Sequence, residues 1–157
     1  MSEDYYQEVA DKFIFTVKKG LLYTENDVWI EITNGKAKIG VTDFLQRHGG
    51  DVVFVNILKK GSPIKRLDEI VTYETIKAVL PVTSPFTGVI AEINASLNDK
   101  PELINEDPYG EGWLVLISPS MHACIEEDRK HLISAEKYFE LMKSKIKDEL
   151  GKSKKEA

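Results

Sequence analysis

VWIEITNGKAKIGVT, residues 28–42, holds two β-prone runs on either side of Asn34-Gly35. Asn-Gly is the preferred two-residue loop of a type I′ hairpin. Pairing about that turn sets Val28 opposite Val41, Ile30 opposite Ile39 and Ile32 opposite Ala37. Side chains alternate along a strand, so these six apolar residues share one face, while Glu31, Thr33, Lys36 and Lys38 take the other. A hairpin with one apolar face belongs to a sheet laid over a core.

Outward from the hairpin, short apolar runs recur at Val52 to Ile57, Glu69 to Tyr73, Ala78 to Val82, Gly88 to Ile93 and Trp113 to Ile117. Their length and their bounding Gly, Pro, Asn and Asp residues favour strands over helices, and their spacing suggests a sandwich or barrel. Two segments read as helix. A short one runs from Asp43 to about His48, capped by Thr42 and stopped by Gly49 and Gly50. The other follows Ser134, where Tyr138, Leu141, Met142 and Ile146 form one apolar stripe. Tyr5, Tyr6, Val9 and Phe13 fall near helical spacing, so residues 4–13 are expected to form an additional amphipathic helix that covers core. The organisation expected is an N-terminal extension at 1–21, partly helical, a main domain at 22–150 and a flexible polar tail at 151–157.

The 157 residues suit one compact domain, and 42% hydrophobic with 30% charged residues is ordinary globular composition. A net charge of −5 without a basic cluster argues against nucleic-acid binding. No stretch approaches a membrane span, and Met1 to Lys19 lacks the apolar run of a secretory signal. The single cysteine, Cys124, cannot form an internal disulfide and reads as a buried small hydrophobe in a reducing cytoplasm. His48, His122 and His131 are too scattered for a metal site and read as surface or capping residues. No nucleophile, metalloprotease or phosphate-loop motif is present, so no catalytic residue is expected.

Chemistry is concentrated in EIVTYETIKAVLPVTSPFTGVIAEI, residues 69–93, where Lys77 stands between two apolar strands at the tip of a turn. A free, solvated ammonium there is a poor catalyst. An acylated lysine is instead a long uncharged arm that holds reactive chemistry supplied by its substituent.

ETIKA at 74–78 resembles the lipoylation motif of the glycine cleavage H-protein family, and SPFTG at 84–88 is similar to that family's following strand and turn. NASLNDKPELINEDPYGEGWLVLI, residues 94–117, resembles its signature block, with Asn94, Leu97, Pro101, Leu103, Asn105, Pro108, Tyr109, Gly112 and Trp113 in order. YTENDVW (23–29), IGVTDF (39–44) and GDVVFV (50–55) are also similar, so the resemblance spans Leu22 to Ile146. It implies a mainly β fold, a barrel-sandwich hybrid of two antiparallel sheets with peripheral helices, including a C-terminal helix. It also implies lipoate held covalently on Lys77 and flanked by Glu74, Thr75, Ile76 and Ala78, and a non-catalytic carrier role. Trp29 and Trp113 are then core or support residues. Biotinyl carriers flank their lysine with methionines, and 2-oxo acid dehydrogenase lipoyl domains lack the Pro101 to Trp113 block, so both fit less well.

Where the family resemblance implies polar or acidic residues for parking a positively charged aminomethyl group, this chain departs. Val28 stands in place of a glutamate after Asp27, Pro81 in place of an aspartate four residues past the lysine, and Phe44 in place of a histidine. These four, Asp27, Val28, Phe44 and Pro81, are the candidate arm cleft. A cation leaving water needs a carboxylate or good acceptors, so the substitutions cast doubt on ordinary aminomethyl transfer. The partners implied are a lipoate ligase or a lipoyl or octanoyl transferase, dihydrolipoyl dehydrogenase, and either glycine decarboxylase with aminomethyltransferase or a heterodisulfide-reductase-like complex. In the last case the chain would be a lipoate-binding sulfur carrier; an unmodified adaptor is the third alternative.

Overall fold

Asn34 and Gly35 adopt φ of 53° and 73° in the computed structural model, the left-handed pair that a type I′ turn demands. The flanking segments pair in the expected register, Val28 with Val41, Ile30 with Ile39 and Ile32 with Ala37. Five of the six are buried; Ile32, beside the turn, is 38% exposed. Gly35→Val is expected to cost at least about 1 kcal/mol, because a β-branched residue resists positive φ. Denaturant midpoints measure the loss.

Backbone is described for residues 4–119 and 122–156, and side chains for 4–119 and 126–149. The readings of His122 and Cys124 lie outside the described side chains. In chain order the elements are β1 (Tyr5–Ala10), β2 (Phe13–Lys18), β3 (Leu22–Tyr23), β4 (Val28–Thr33), β5 (Lys36–Val41), α1 (Asp43–Gly49), β6 (Val52–Ile57), β7 (Pro63–Ile64) and β8 (Glu69–Thr75). They continue with β9 (Val79–Thr83), β10 (Gly88–Ile93), α2 (Ser96–Asp99), α3 (Leu103–Glu106), β11 (Val115–Pro119), α4 (His122–Arg129), β12 (Ile133–Ser134) and α5 (Ala135–Glu156).

The strands form a seven-stranded sheet in the order β12-β3-β4-β5-β11-β10-β7, a three-stranded sheet β6-β8-β9 and the separate pair β1-β2, all antiparallel. Two main sheets, peripheral helices and a C-terminal helix are present, but the expected barrel is not: among the described residues no sheet closes on itself. The large sheet ends in strands of two residues, β7 and β12, and Pro63 in β7 has no N–H to offer a further neighbour. The sheets meet through side chains instead. Ile30, Ile39 and Val41 from one pack in the same cluster as Val55, Val71, Tyr73 and Val82 from the other.

A second correction concerns the N-terminus. Residues 5–18 form a β-hairpin and not a helix, with Asp11 at φ 55° turning the chain and Tyr6 paired with Val17. Apolar positions this close together fit both periods, and the β-prone run FIFTV at 13–17 supplies the partner strand that decides between them. The tail expected to lie beyond the helix is itself helical, since α5 runs through Glu156.

The hairpin and α5 close a second core cluster around Val17, Tyr23, Trp29, Phe44, Tyr109, Tyr138, Met142 and Ile146. Tyr23 stacks on Tyr138 at 4.7 Å and Tyr6 on Phe139 at 5.1 Å. Burial pushes the phenols of Tyr23, Tyr73, Tyr109 and Tyr138 well above the ordinary tyrosine range. An unfolded chain loses these protons near pH 10 while the folded one keeps them. Their contribution to stability is therefore complete below about pH 10 and is lost as pH rises, at about 1.4 kcal/mol per pH unit for each phenol. Melting temperatures measured between pH 8 and 11 are expected to be flat at first and then to fall steeply.

Candidate functional site

Lys77 sits in the turn between β8 and β9. Thr75, buried at the end of β8, accepts at its Oγ1 from the amides of Lys77 (3.1 Å) and Ala78 (3.0 Å), while its own N–H donates to the Ala78 carbonyl at 2.8 Å. A hydroxyl that gathers the turn amides holds a tight turn without glycine. Ile76, Lys77 and Ala78 are exposed, Ile76 at 74%. Glu74, also exposed, faces Phe54 on one side and Val79 on the other.

Helix α1 carries the surface on which this turn rests. Thr42 caps its start by accepting from the Leu45 amide at 3.3 Å. Gly49 and Gly50 end it, yet they also make room: a Cβ on Gly49 would lie 2.5 Å from Leu80, and one on Gly50 would touch Lys77 Cγ, Cδ and Cε at 3.4 to 3.7 Å. Gly50 also needs its φ of 88°. The aliphatic stem of Lys77 thus lies across bare backbone, and the Ile76 amide donates to the Asp51 carbonyl at 3.3 Å.

Asn105, from α3, clasps that loop. Its Oδ1 accepts from the Val52 amide at 2.8 Å, and its Nδ2 donates to Gln46 Oε1 at 3.1 Å and to the Gly50 carbonyl at 3.0 Å. Asn105→Ala is expected to cost about 1 to 3 kcal/mol, since partly buried partners are left unpaired. Faster hydrogen exchange at the Val52 amide would localise the loss. Further along the same block, Trp29 Nε1 donates to the Pro108 carbonyl at 2.8 Å in the buried interior, which ties residues 94–117 to β4.

Beside Lys77 opens a cleft of about 540 Å³ between the β1–β2 hairpin, α1 and α5. Phe13, Phe15, Phe44 and Arg47 line it together with Lys77. Ring centroids run 6.3 Å from Phe13 to Phe15 and 6.0 Å from Phe15 to Phe44, and the Arg47 guanidinium lies 5.9 Å from the centres of both Phe13 and Phe15. His48 stacks on Phe44 at 5.8 Å and pairs with Glu149. Asp11 and Asp51 line the cleft as exposed residues.

The four residues expected to form one arm cleft are dispersed. Phe44 lines the cleft beside Lys77, whereas Asp27 and Pro81 border a separate depression with Lys145. Val28 lines neither: it is 1% exposed in the main core, where its apolar side chain faces Val41. The Asp27 carboxylate accepts from Tyr138 at 2.6 Å and from Lys145 at 2.9 Å on both oxygens, so its charge is already matched. Among the described residues no group of three His, Cys, Asp or Glu side chains could hold a metal, and no helix is long and apolar enough to cross a membrane.

Comparison with known proteins places this geometry. The model of the glycine cleavage H-protein family matches residues 21–145. Glycine cleavage system H protein 4 of Aquifex aeolicus is 35% identical over 147 residues, 94% of this chain and 81% of that one. A probable glycine cleavage system H protein of Pyrococcus abyssi is 39% identical over 131 residues, 83% of this chain and 95% of the relative. The crystal structure of a glycine cleavage system H protein from Mycobacterium marinum superposes with a TM-score of 0.68 at 28% identity, covering 78% of this chain and 95% of that one. The match runs through the lysine-bearing hairpin, the α1 platform and the Asn105 clasp, and the chain belongs to the glycine cleavage H-protein family.

Proposed function

We propose that Lys77 is the residue on which this lipoyl carrier bears its lipoyl group. A carrier of this family is not itself a catalyst, and its prosthetic group is a lipoyl amide of lysine. The observation that carries the assignment is the Thr75-organised turn, which presents Lys77 exposed at a hairpin tip with its stem lying along Gly50. A lipoylating enzyme, whether a ligase or a transferase, meets there a single rigidly offered amine. When attached, the group supplies a dithiolane that undergoes reduction and thiol–disulfide exchange. The protein's own part is to hold the turn, shelter the arm and dock with the enzymes that use it. Peptide mass spectrometry after incubation with lipoate and a lipoylating enzyme tests this. The adduct is expected on the peptide containing Lys77, and an adduct on any other lysine refutes the assignment.

Family membership implies the enzymes of glycine cleavage as partners: the decarboxylase, the aminomethyltransferase and dihydrolipoyl dehydrogenase. A second reading, a sulfur-bearing arm serving a heterodisulfide-reductase-like complex, is favoured by two observations. Asp27 is saturated by Lys145 and Tyr138, and the cleft that Lys77 lines has aromatic walls with a guanidinium among them. Exposed carboxylates such as Asp11 and Asp51 are screened by water and hold a cation weakly. Reconstituting glycine decarboxylation with the lipoylated protein beside an ordinary H protein decides between the readings. Comparable turnover supports glycine cleavage, and a large deficit supports the sulfur carrier.

A further inference from the structure

The β1–β2 hairpin, residues 5–18, lies outside the 21–145 stretch matched by the family model, yet it builds one wall of the cleft beside Lys77. Its attachment is specific. The Thr16 amide donates to Asp43 Oδ2 at 2.9 Å, and the Thr16 carbonyl accepts from the Tyr109 hydroxyl at 2.7 Å. These bonds pin the strand to α1 and to the signature block, and they bring the rings of Phe13 and Phe15 over to Phe44. Phe13 remains 49% exposed within this arrangement, a large ring held at a cleft wall and not spent on core burial.

We propose that the hairpin supplies a binding subsite for the dithiolane end of the arm on Lys77, formed by the rings of Phe13, Phe15 and Phe44 beside Arg47. The inference rests on the assignment of Lys77 as the modified residue. The occupant is argued from tethering: the Lys77 stem lies along Gly50 and lines the same cleft, so an acyl extension starts at its edge. Chemistry agrees with the tether. Two polarizable sulfurs on a short hydrocarbon ring match aromatic edges and faces. Arg47 adds no demand for an anion, because Asp43 stands 3.4 Å from its Nε. Acylation also removes the lysine charge, so the group entering the cleft is neutral.

Thiol protection tests the subsite. In the lipoylated and reduced full chain, the dihydrolipoyl thiols are expected to react with a chromogenic aromatic disulfide about tenfold more slowly than those of a lipoyl-lysine peptide. Phe13→Ser is expected to recover most of the peptide's rate, and because Phe13 is half exposed the variant should fold. Ring-proton NMR shifts of Phe15 and Phe44, compared between lipoylated and unmodified protein, supply a readout that needs no variant. Thiols as reactive as the peptide's, with unmoved ring signals, overturn the subsite while leaving Lys77 as the attachment residue. Peptide mapping performed first separates the two questions, since modification of a different lysine overturns the assignment on which both rest.

Discussion

Lys77→Arg is expected to abolish lipoylation completely while shifting the melting temperature by less than about 1 °C. The side chain is exposed, and the turn's hydrogen bonds come from the Thr75 hydroxyl and main-chain amides, which the substitution leaves in place. Arginine also keeps an aliphatic stem to lie along Gly50. What disappears is the nucleophilic amine: a guanidinium stays protonated and is not acylated. Intact mass and circular dichroism on the same preparation check both halves. Residual lipoylation would show that a second lysine is used, and a folding defect would show that the lysine ammonium has a structural partner.

Val28→Glu is expected to destabilise the protein by about 3 to 5 kcal/mol, the usual penalty of an uncompensated buried charge. From the amino-acid order, position 28 reads as the place where a cleft carboxylate is missing, and restoring glutamate looks like a gain of function. The structure reverses that expectation. Val28 is 1% exposed and packs within the apolar main core, opposite Val41. The neighbouring Asp27 takes Lys145 for itself, helped by a φ of 66° that turns the chain at this point. A glutamate at 28 therefore has to protonate or drag the β4–β5 pair apart. Chemical denaturation with the wild type as reference measures the loss, and an unchanged midpoint would place position 28 at an accessible surface.

These two positions show where reading the chain succeeds and where it stops. The turn position of Lys77 was legible because a turn is local and apolar strands flank it on either side, whereas the Thr75 hydroxyl that gathers the turn amides was not read from the chain. The 28–42 hairpin was legible for the same reason, down to its register. The cleft was not, because its walls come from residues 10–15, 44–51, 105 and 146–149, and nothing local relates them. Asn105 stood inside a quoted motif, but its task of holding Gly50 and Val52 spans 53 to 55 residues. Gly49 and Gly50 read as helix stops, and only the structure shows the 2.5 Å approach to Leu80 that a Cβ on Gly49 would make and the φ of 88° that strains any side chain at Gly50. The N-terminal error has another origin. Tyr5, Val9 and Phe13 fit an even spacing as well as a helical one, and the choice fell to a partner strand a few residues downstream.

The way the chain ends are fastened has a kinetic side. The sheet bearing Lys77 is assembled from neighbouring segments between Val52 and Thr83. The second core cluster is locked by Thr42 to Tyr138, Asp27 to Tyr138 and Asp27 to Lys145, contacts separated by 96, 111 and 118 residues. Loop closure over such distances is slow compared with hairpin formation. Synthesis runs from the N-terminus, so every segment of the lysine-bearing sheet is made before α5, and the contacts that lock the aromatic end can form only once α5 exists.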